Sequence, residues 1–167
     1  MNVLVIPEDF RNDQYVLQPV IRELFKHLGQ PKAKIKVCTD PLLGGVDQAL
    51  KKHRLQEIIE RYGMIDLFLL CVDRDGKAGR ADELRERERW MQEFLNPRRQ
   101  QFFGVAAEQE IEVWALLGLS DLPKEWSWPE IRQEIKPKKV YFEKYAELRG
   151  KSSELAGGRK SLGLVAA

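Results

Sequence analysis

The apolar run Ile65-Asp66-Leu67-Phe68-Leu69-Leu70-Cys71-Val72 ends abruptly in Asp73-Arg74-Asp75-Gly76. It is far shorter than the roughly 20 apolar residues of a membrane-spanning helix. It also lacks the two-residue alternation of a half-buried strand. A strand that is apolar on both sides must be covered on both faces, as the central strand of a parallel sheet is. Open α/β sheets take their ligands at the C-terminal ends of such strands. Two carboxylates stand at that end here, and Gly76, with no Cβ, lets the chain turn sharply. Acids gathered out of water lose hydration and repel one another, so this strand tip calls for a cation, and a divalent metal answers best.

The segments on either side supply partners for that strand. Residues 2–6 are a second apolar run, ending in Pro7-Glu8-Asp9. Asn12-Asp13 can cap a helix reaching about Leu28, in which Val16, Val20, Leu24 and Leu28 recur at helical spacing. Residues 33–39 read as an edge strand, and Val46 to Tyr62 as one helix closed by Gly63. A charged helix is predicted from Asp82 to Leu95, a strand over 101–107 and a helix from Glu108 to Leu117. A short helix from Trp126 to Ile135 and helical structure over 138–149 follow, and the Gly157–Gly163 stretch reads as irregular. The alternation predicts an α/β fold: a mostly parallel, four-stranded, Rossmann-like sheet flanked by helices. Residues 1–120 form the α/β domain, and 121–167 a helical C-terminal extension packed on it with a basic, Gly-rich tail.

Composition narrows the classes. Hydrophobic residues at 43% and charged residues at 32% of 167 exclude a disordered chain. The formal charge of +2 neither requires nor excludes a polyanionic partner, so the placement of the basic residues matters more than their sum. Nothing points to a membrane. Cys38 and Cys71 are isolated in apolar surroundings and read as buried thiols of a cytoplasmic protein. With His27 and His53 as the only histidines and no Cys-x-x-Cys, a zinc site is not expected. Of the four tryptophans, Trp90 and Trp114 fall in apolar stripes and are assigned to the core, while Trp126 and Trp128 are placed as anchors of the extension.

Three predicted strands end in acids: Glu8 and Asp9, then Asp73 and Asp75, then Glu108, Glu110 and Glu112. If the segment stays extended, Asp73 and Asp75 point the same way, and if 108–117 is one helix, Glu108 and Glu112 share a face. Hard carboxylate ligands suit Mg²⁺ or Mn²⁺, which can orient and neutralise a phosphodiester. Arg74, Lys77 and Arg80 follow the central strand and are the candidate phosphate-binding residues, with Arg11 beside Glu8. Arg159 and Lys160 in the tail could also reach a phosphate; Lys136, Lys138 and Lys139 read as solvated surface. Taken singly, each acid also has an ordinary explanation, since acids favour helix starts and turns.

Together, an early strand ending in Glu8, a later strand ending in Asp73-Arg74-Asp75, and Ile111-Glu112-Val113-Trp114-Ala115-Leu116-Leu117 resemble the TOPRIM domain, over about residues 2–118. That family occurs in topoisomerases, bacterial primases, OLD-type nucleases and small stand-alone proteins. The resemblance implies Glu8 as general acid/base and metal ligand, Asp73 and Asp75 as catalytic metal ligands, and Glu112 as an accessory ligand. It implies a Mg²⁺- or Mn²⁺-dependent phosphoryl-transfer protein, a nuclease acting on DNA or RNA. The family's usual glycine after its first glutamate is absent from Pro7-Glu8-Asp9-Phe10. That departure favours the alternative, a non-catalytic metal- or nucleic-acid-binding subunit of a larger, defence-related assembly with an ATPase partner. Either form is compatible with self-association. A nucleotide-binding Rossmann protein ranks lower for want of a GxGxxG or P-loop, as does a PIN-type nuclease, which starts from an Asp.

Overall fold

A computed structural model describes residues 1–166. Four strands, β1 (Asn2–Pro7), β2 (Lys34–Val37), β3 (Leu67–Asp73) and β4 (Gln101–Ala107), form one sheet in the order β2-β1-β3-β4. All three pairings are parallel. The mostly parallel sheet expected from the sequence is therefore wholly parallel, and the α/β, Rossmann-like class holds.

Burial explains the unbroken apolar run. Leu67, Leu69 and Cys71 of β3, with Val3 and Val5 of β1, pack into one core beneath helix α1 (Phe10–His27). Phe68, Leu70 and Val72, with Leu4 and Ile6, pack into a second core on the opposite face. That second core is covered by α2 (Val46–Ala49), α3 (Lys52–Arg61) and α4 (Arg80–Leu95). The expected single helix from Val46 to Tyr62 is thus two, parted at Leu50-Lys51. Both thiols are buried, and loss of hydration pushes Cys38 up to about 11 and Cys71 up to about 12, so neither is poised as a nucleophile.

The last 50 residues contribute to the first core. After α5 (Glu112–Leu117), they supply α6 (Trp128–Gln133), a π-helical turn (Lys138–Phe142), α7 (Glu143–Leu148) and α8 (Arg159–Ala166). Ile131, Phe142, Tyr145, Ala146 and Leu162 share a core with Val3, Val5 and Val16. The tail expected to be irregular is helix α8, because Leu162 finds an apolar seat between α1 and α5 once the fold has formed. Residue 167, the last of the predicted extension, lies outside the described residues. The half-exposed Trp90 and Trp114 only border the cores to which they were assigned.

The seat of α8 depends on two adjacent residues in the fold. Pro19 lies inside α1 and has no N–H to bond the carbonyl of Tyr15. Gly163 of α8 packs directly onto that carbonyl: a Cβ there would stand 2.1 Å from the Tyr15 oxygen. On an exposed helix, Gly→Ala stabilises by up to about 1 kcal/mol. Here Gly163→Ala is expected to cost about 1–3 kcal/mol through overpacking. Thermal unfolding followed by circular dichroism reads the sign directly.

Candidate active site at the strand tips

The chain runs from β1 outward to β2, then returns across β1 to β3 and β4. The sheet's switch point therefore lies between β1 and β3, and crevices of this kind hold ligands in open α/β folds. Glu8 and Asp73 are the residues at the ends of those two strands. The Asp73 N–H donates to Glu8 Oε2 at 3.2 Å, and the Ile111 N–H donates to Asp73 Oδ1 at 2.8 Å. One backbone-anchored chain of contacts thus links β1, β3 and the entrance to α5.

A third acid, Asp13, joins them from α1. The helix begins earlier than the Asn12-Asp13 cap suggests: Asp9 is its N-cap, accepting from the Arg11 N–H at 3.2 Å. Asp13 Oδ2 in turn accepts the Asp9 N–H at 3.1 Å, closing a reciprocal cap. That turn carries Asp13 back over the strand tips, within reach of the charges of Glu112 and Glu8. Asp9 itself is taken up by capping; burial opposes its ionisation, but hydrogen bonds from Arg11 and Asn12 hold it below the usual range.

The electrostatics follow from burial. Lost hydration pushes Glu8 up to about 7, with the charge of Asp75 adding and the Asp73 N–H opposing. Burial likewise pushes Asp73 up to about 9, reinforced by the charges of Glu8 and Glu112. Asp13 rises to about 7, again by burial first. The three therefore compete for protons at neutral pH, as crowded carboxylates do. Such a group is stabilised by a bound cation, and its oxygen donors suit a hard divalent ion. As the side chains stand, no three acids among the described residues close around an ion.

Asp75 stands differently from its expected place. The backbone turns at Asp75 with φ of 50°, so it does not continue the strand and does not point with Asp73. It is exposed at the rim, and its charge still reaches Glu8. The turn is held by Gln109, whose carbonyl accepts the N–H groups of Arg74 at 2.8 Å and Asp75 at 3.0 Å. Gln109 Oε1 also accepts the Gly76 N–H at 2.8 Å. This pairing explains why residues 108–111 are not helical, contrary to expectation. Glu108 therefore shares no helical face with Glu112; it lies 4.0 Å from Arg74 at the surface. Glu110 accepts the Lys138 N–H at 2.7 Å and ties down the π-helical turn.

Of the three expected phosphate-binding residues, Arg74 and Lys77 are at the rim. Lys77 Nζ lies 2.6 Å from Glu83, and Arg80 Nη1 donates to Glu83 at 2.8 Å. Arg80 opens α4 and is only 4% exposed, yet its Nε has no hydrogen-bond partner. Its charge acts on Glu8. An orphaned guanidinium N–H beside crowded acids is the kind of donor an incoming anion can satisfy.

Glu112 is brought to the group but is already engaged. Its Oε1 accepts from Arg159 Nε at 2.9 Å and from Arg159 Nη2. Sequence reasoning missed Asp13, Gln109 and the role of Arg159. Asp13 was spent as a cap, Gln109 carried no signal, and Arg159 was expected to reach a phosphate, whereas it pairs with Glu112. The chain matches no family model, no curated protein and no solved structure.

Proposed function

We propose that the chain is a divalent-metal-dependent phosphodiester hydrolase, a TOPRIM-like nuclease acting on DNA or RNA, with Mg²⁺ or Mn²⁺ held by Glu8, Asp73 and Asp75. The supporting observation is the pair Glu8–Asp73 at the sheet's switch point, hydrogen-bonded across two strands and raised toward neutrality by burial. A divalent ion, when bound, supplies charge for the phosphate oxygens and lowers the pKa of a bound water. The chain's own residues would do the rest. Asp73, fixed by the Ile111 N–H, would set the ligand geometry, while Glu8, which accepts the Asp73 N–H at the strand tip, would hold or move the proton. Arg80 Nε, with Arg74 and Lys77 at the rim, would meet the phosphate. On this assignment Asp13, half-buried beside Glu8, adds negative charge that favours metal.

The test is cleavage of plasmid and single-stranded substrates in Mg²⁺ or Mn²⁺. The wild type should cut, and Asp73→Ala with Asp75→Ala should lose at least about 100-fold of that activity, roughly 2.7 kcal/mol of barrier. A wild type inert with both metals, or a double variant that cuts as well, would refute it. The absence of a glycine after Glu8 favours the second assignment, a binding subunit that needs a protein partner such as an ATPase. Metal binding without cleavage until a co-purifying partner is added would be its signature.

A further inference from the structure

A cleft of about 320 Å³ lies between α5 and α6, apart from the Glu8–Asp73 pair. Val113, Trp114 and Leu117 line it from α5, Trp128 and Arg132 from α6, and Glu108 from the end of β4. Helical spacing accounts for this set. Val113 precedes Leu117 by one turn, as Trp128 precedes Arg132, so each helix gives one face to the cleft. Both indoles are half-buried and packed against the first core, which holds them in place. Leu117 is 65% exposed.

The cleft adjoins the turn that follows Asp73. Ala107 is the partner of Asp73 across the sheet, and Glu108 is the next residue. Glu108 lies 4.0 Å from Arg74, which directly follows Asp73. On the other side, α6 leads into Ile135, whose Cγ2 would stand 3.3 Å from a Cβ on Gly76. Both walls of the cleft therefore reach the Asp73–Gly76 turn.

Charge and shape together select a ligand. Arg132 is exposed, and the acids beside it on α6 are committed elsewhere. Glu130 accepts from the Ser127 hydroxyl at 2.7 Å, and Glu134 accepts the Lys136 N–H at 3.0 Å. Glu108 would repel an anion by itself, but Arg74 stands against it. Two indoles, apolar side chains and an available guanidinium complement a flat ring that carries an anionic group. Aromatic side chains stack nucleobases whatever their sequence, and arginine meets the neighbouring phosphate. A base within a duplex is stacked on both faces and paired at its edge, so only an unpaired base can enter.

We infer that the α5–α6 cleft receives an unpaired nucleobase, with its phosphate on Arg132, and that the chain therefore takes single-stranded nucleic acid. The inference rests on the hydrolase reading above for the class of substrate and narrows it to single strands. Binding in the cleft requires no metal.

Anisotropy of labelled oligonucleotides of about 12 nucleotides, titrated with the full chain in EDTA, measures binding without cleavage. The probes are single-stranded DNA, RNA of the same sequence and the DNA duplex, and the tryptophan fluorescence of the protein is followed alongside. At least one single strand should bind at least about tenfold more tightly than the duplex and quench that fluorescence. Leu117→Glu places a carboxylate in the cleft at an exposed position, where folding is little affected, and should weaken single-strand binding at least about tenfold. Arg132→Ala should weaken it about threefold or more and flatten its salt dependence. No binding, a duplex bound as tightly as the single strands, unchanged tryptophan fluorescence, or wild-type binding by Leu117→Glu would each overturn the inference. Single-strand binding without cleavage in Mg²⁺ or Mn²⁺ removes the hydrolase reading and keeps the cleft. Wild-type cleavage of single strands by Leu117→Glu removes the cleft and keeps the hydrolase.

Discussion

Asp73→Asn is expected to make the metal-free protein more stable at pH 8 while removing its capacity to hold a metal. The carboxyl of Asp73 is pushed up to about 9 by burial, then by the charges of Glu8 and Glu112. In the unfolded chain it ionises near its ordinary value of about 3.9. Between these values the folded protein holds a proton that the unfolded chain has released. Stability then falls as pH rises, because the unfolded state binds fewer protons. The contribution is complete below about pH 4 and is lost as pH passes through 9. Glu8, pushed up to about 7, acts in the same direction over a narrower window. The metal-free wild type should therefore melt at a lower temperature at pH 8.5 than at pH 5.5.

Asparagine keeps an acceptor for the Ile111 N–H and carries no charge. Asp73→Asn should flatten that slope and gain about 2 kcal/mol at pH 8, or roughly 4–8 °C for a chain of this size. The wild type should recover the difference when Mn²⁺ is added, through mass action on the folded state; the variant should not. Thermal scans at four pH values, with and without Mn²⁺, test both halves. A variant less stable than the wild type at pH 8 would mean that Asp73 is held ionised by some group other than a metal.

The fold was legible because β3 carries its burial in its composition. A strand apolar at Leu67, Phe68, Leu69, Leu70, Cys71 and Val72 has no solvent side, and the observed cores take its two faces in turn. The strand tips were legible for the same reason, since Glu8 and Asp73 interrupt apolar runs. What could not be read was anything decided by contacts distant in sequence. Residues 108–111 have helix-compatible composition, yet Gln109 is drawn with φ of 68° into pairing with the Asp73–Gly76 turn. That pairing overrides local propensity. The α8 segment has three glycines within residues 157–163 and reads as irregular by itself; it is helical because Gly163 fits the Tyr15 carbonyl and Arg159 finds Glu112. Asp13 was visible, but its approach to the site depends on Asp9 being the cap. The sequence permits either assignment.

Arg159→Met is expected to destabilise the protein by about 3–5 kcal/mol, the usual cost of stranding one partner of a buried ion pair. For this length that is roughly 6–20 °C in Tm. Glu112→Met should cost a similar amount, since it strands the guanidinium against Phe142. The two losses should not add. Replacing both residues with methionine removes both desolvation penalties and returns apolar volume to a core already lined by Phe142 and Leu162. The double variant should stand within about 2 kcal/mol of the wild type, as exchanges of buried pairs for apolar residues often do. A large coupling energy in this cycle identifies the pair as electrostatic. If the single losses instead simply add, the stability of α8 comes from its seat on α1. The Tyr15–Gly163 contact would then hold the tail, and Arg159 would be free to leave Glu112.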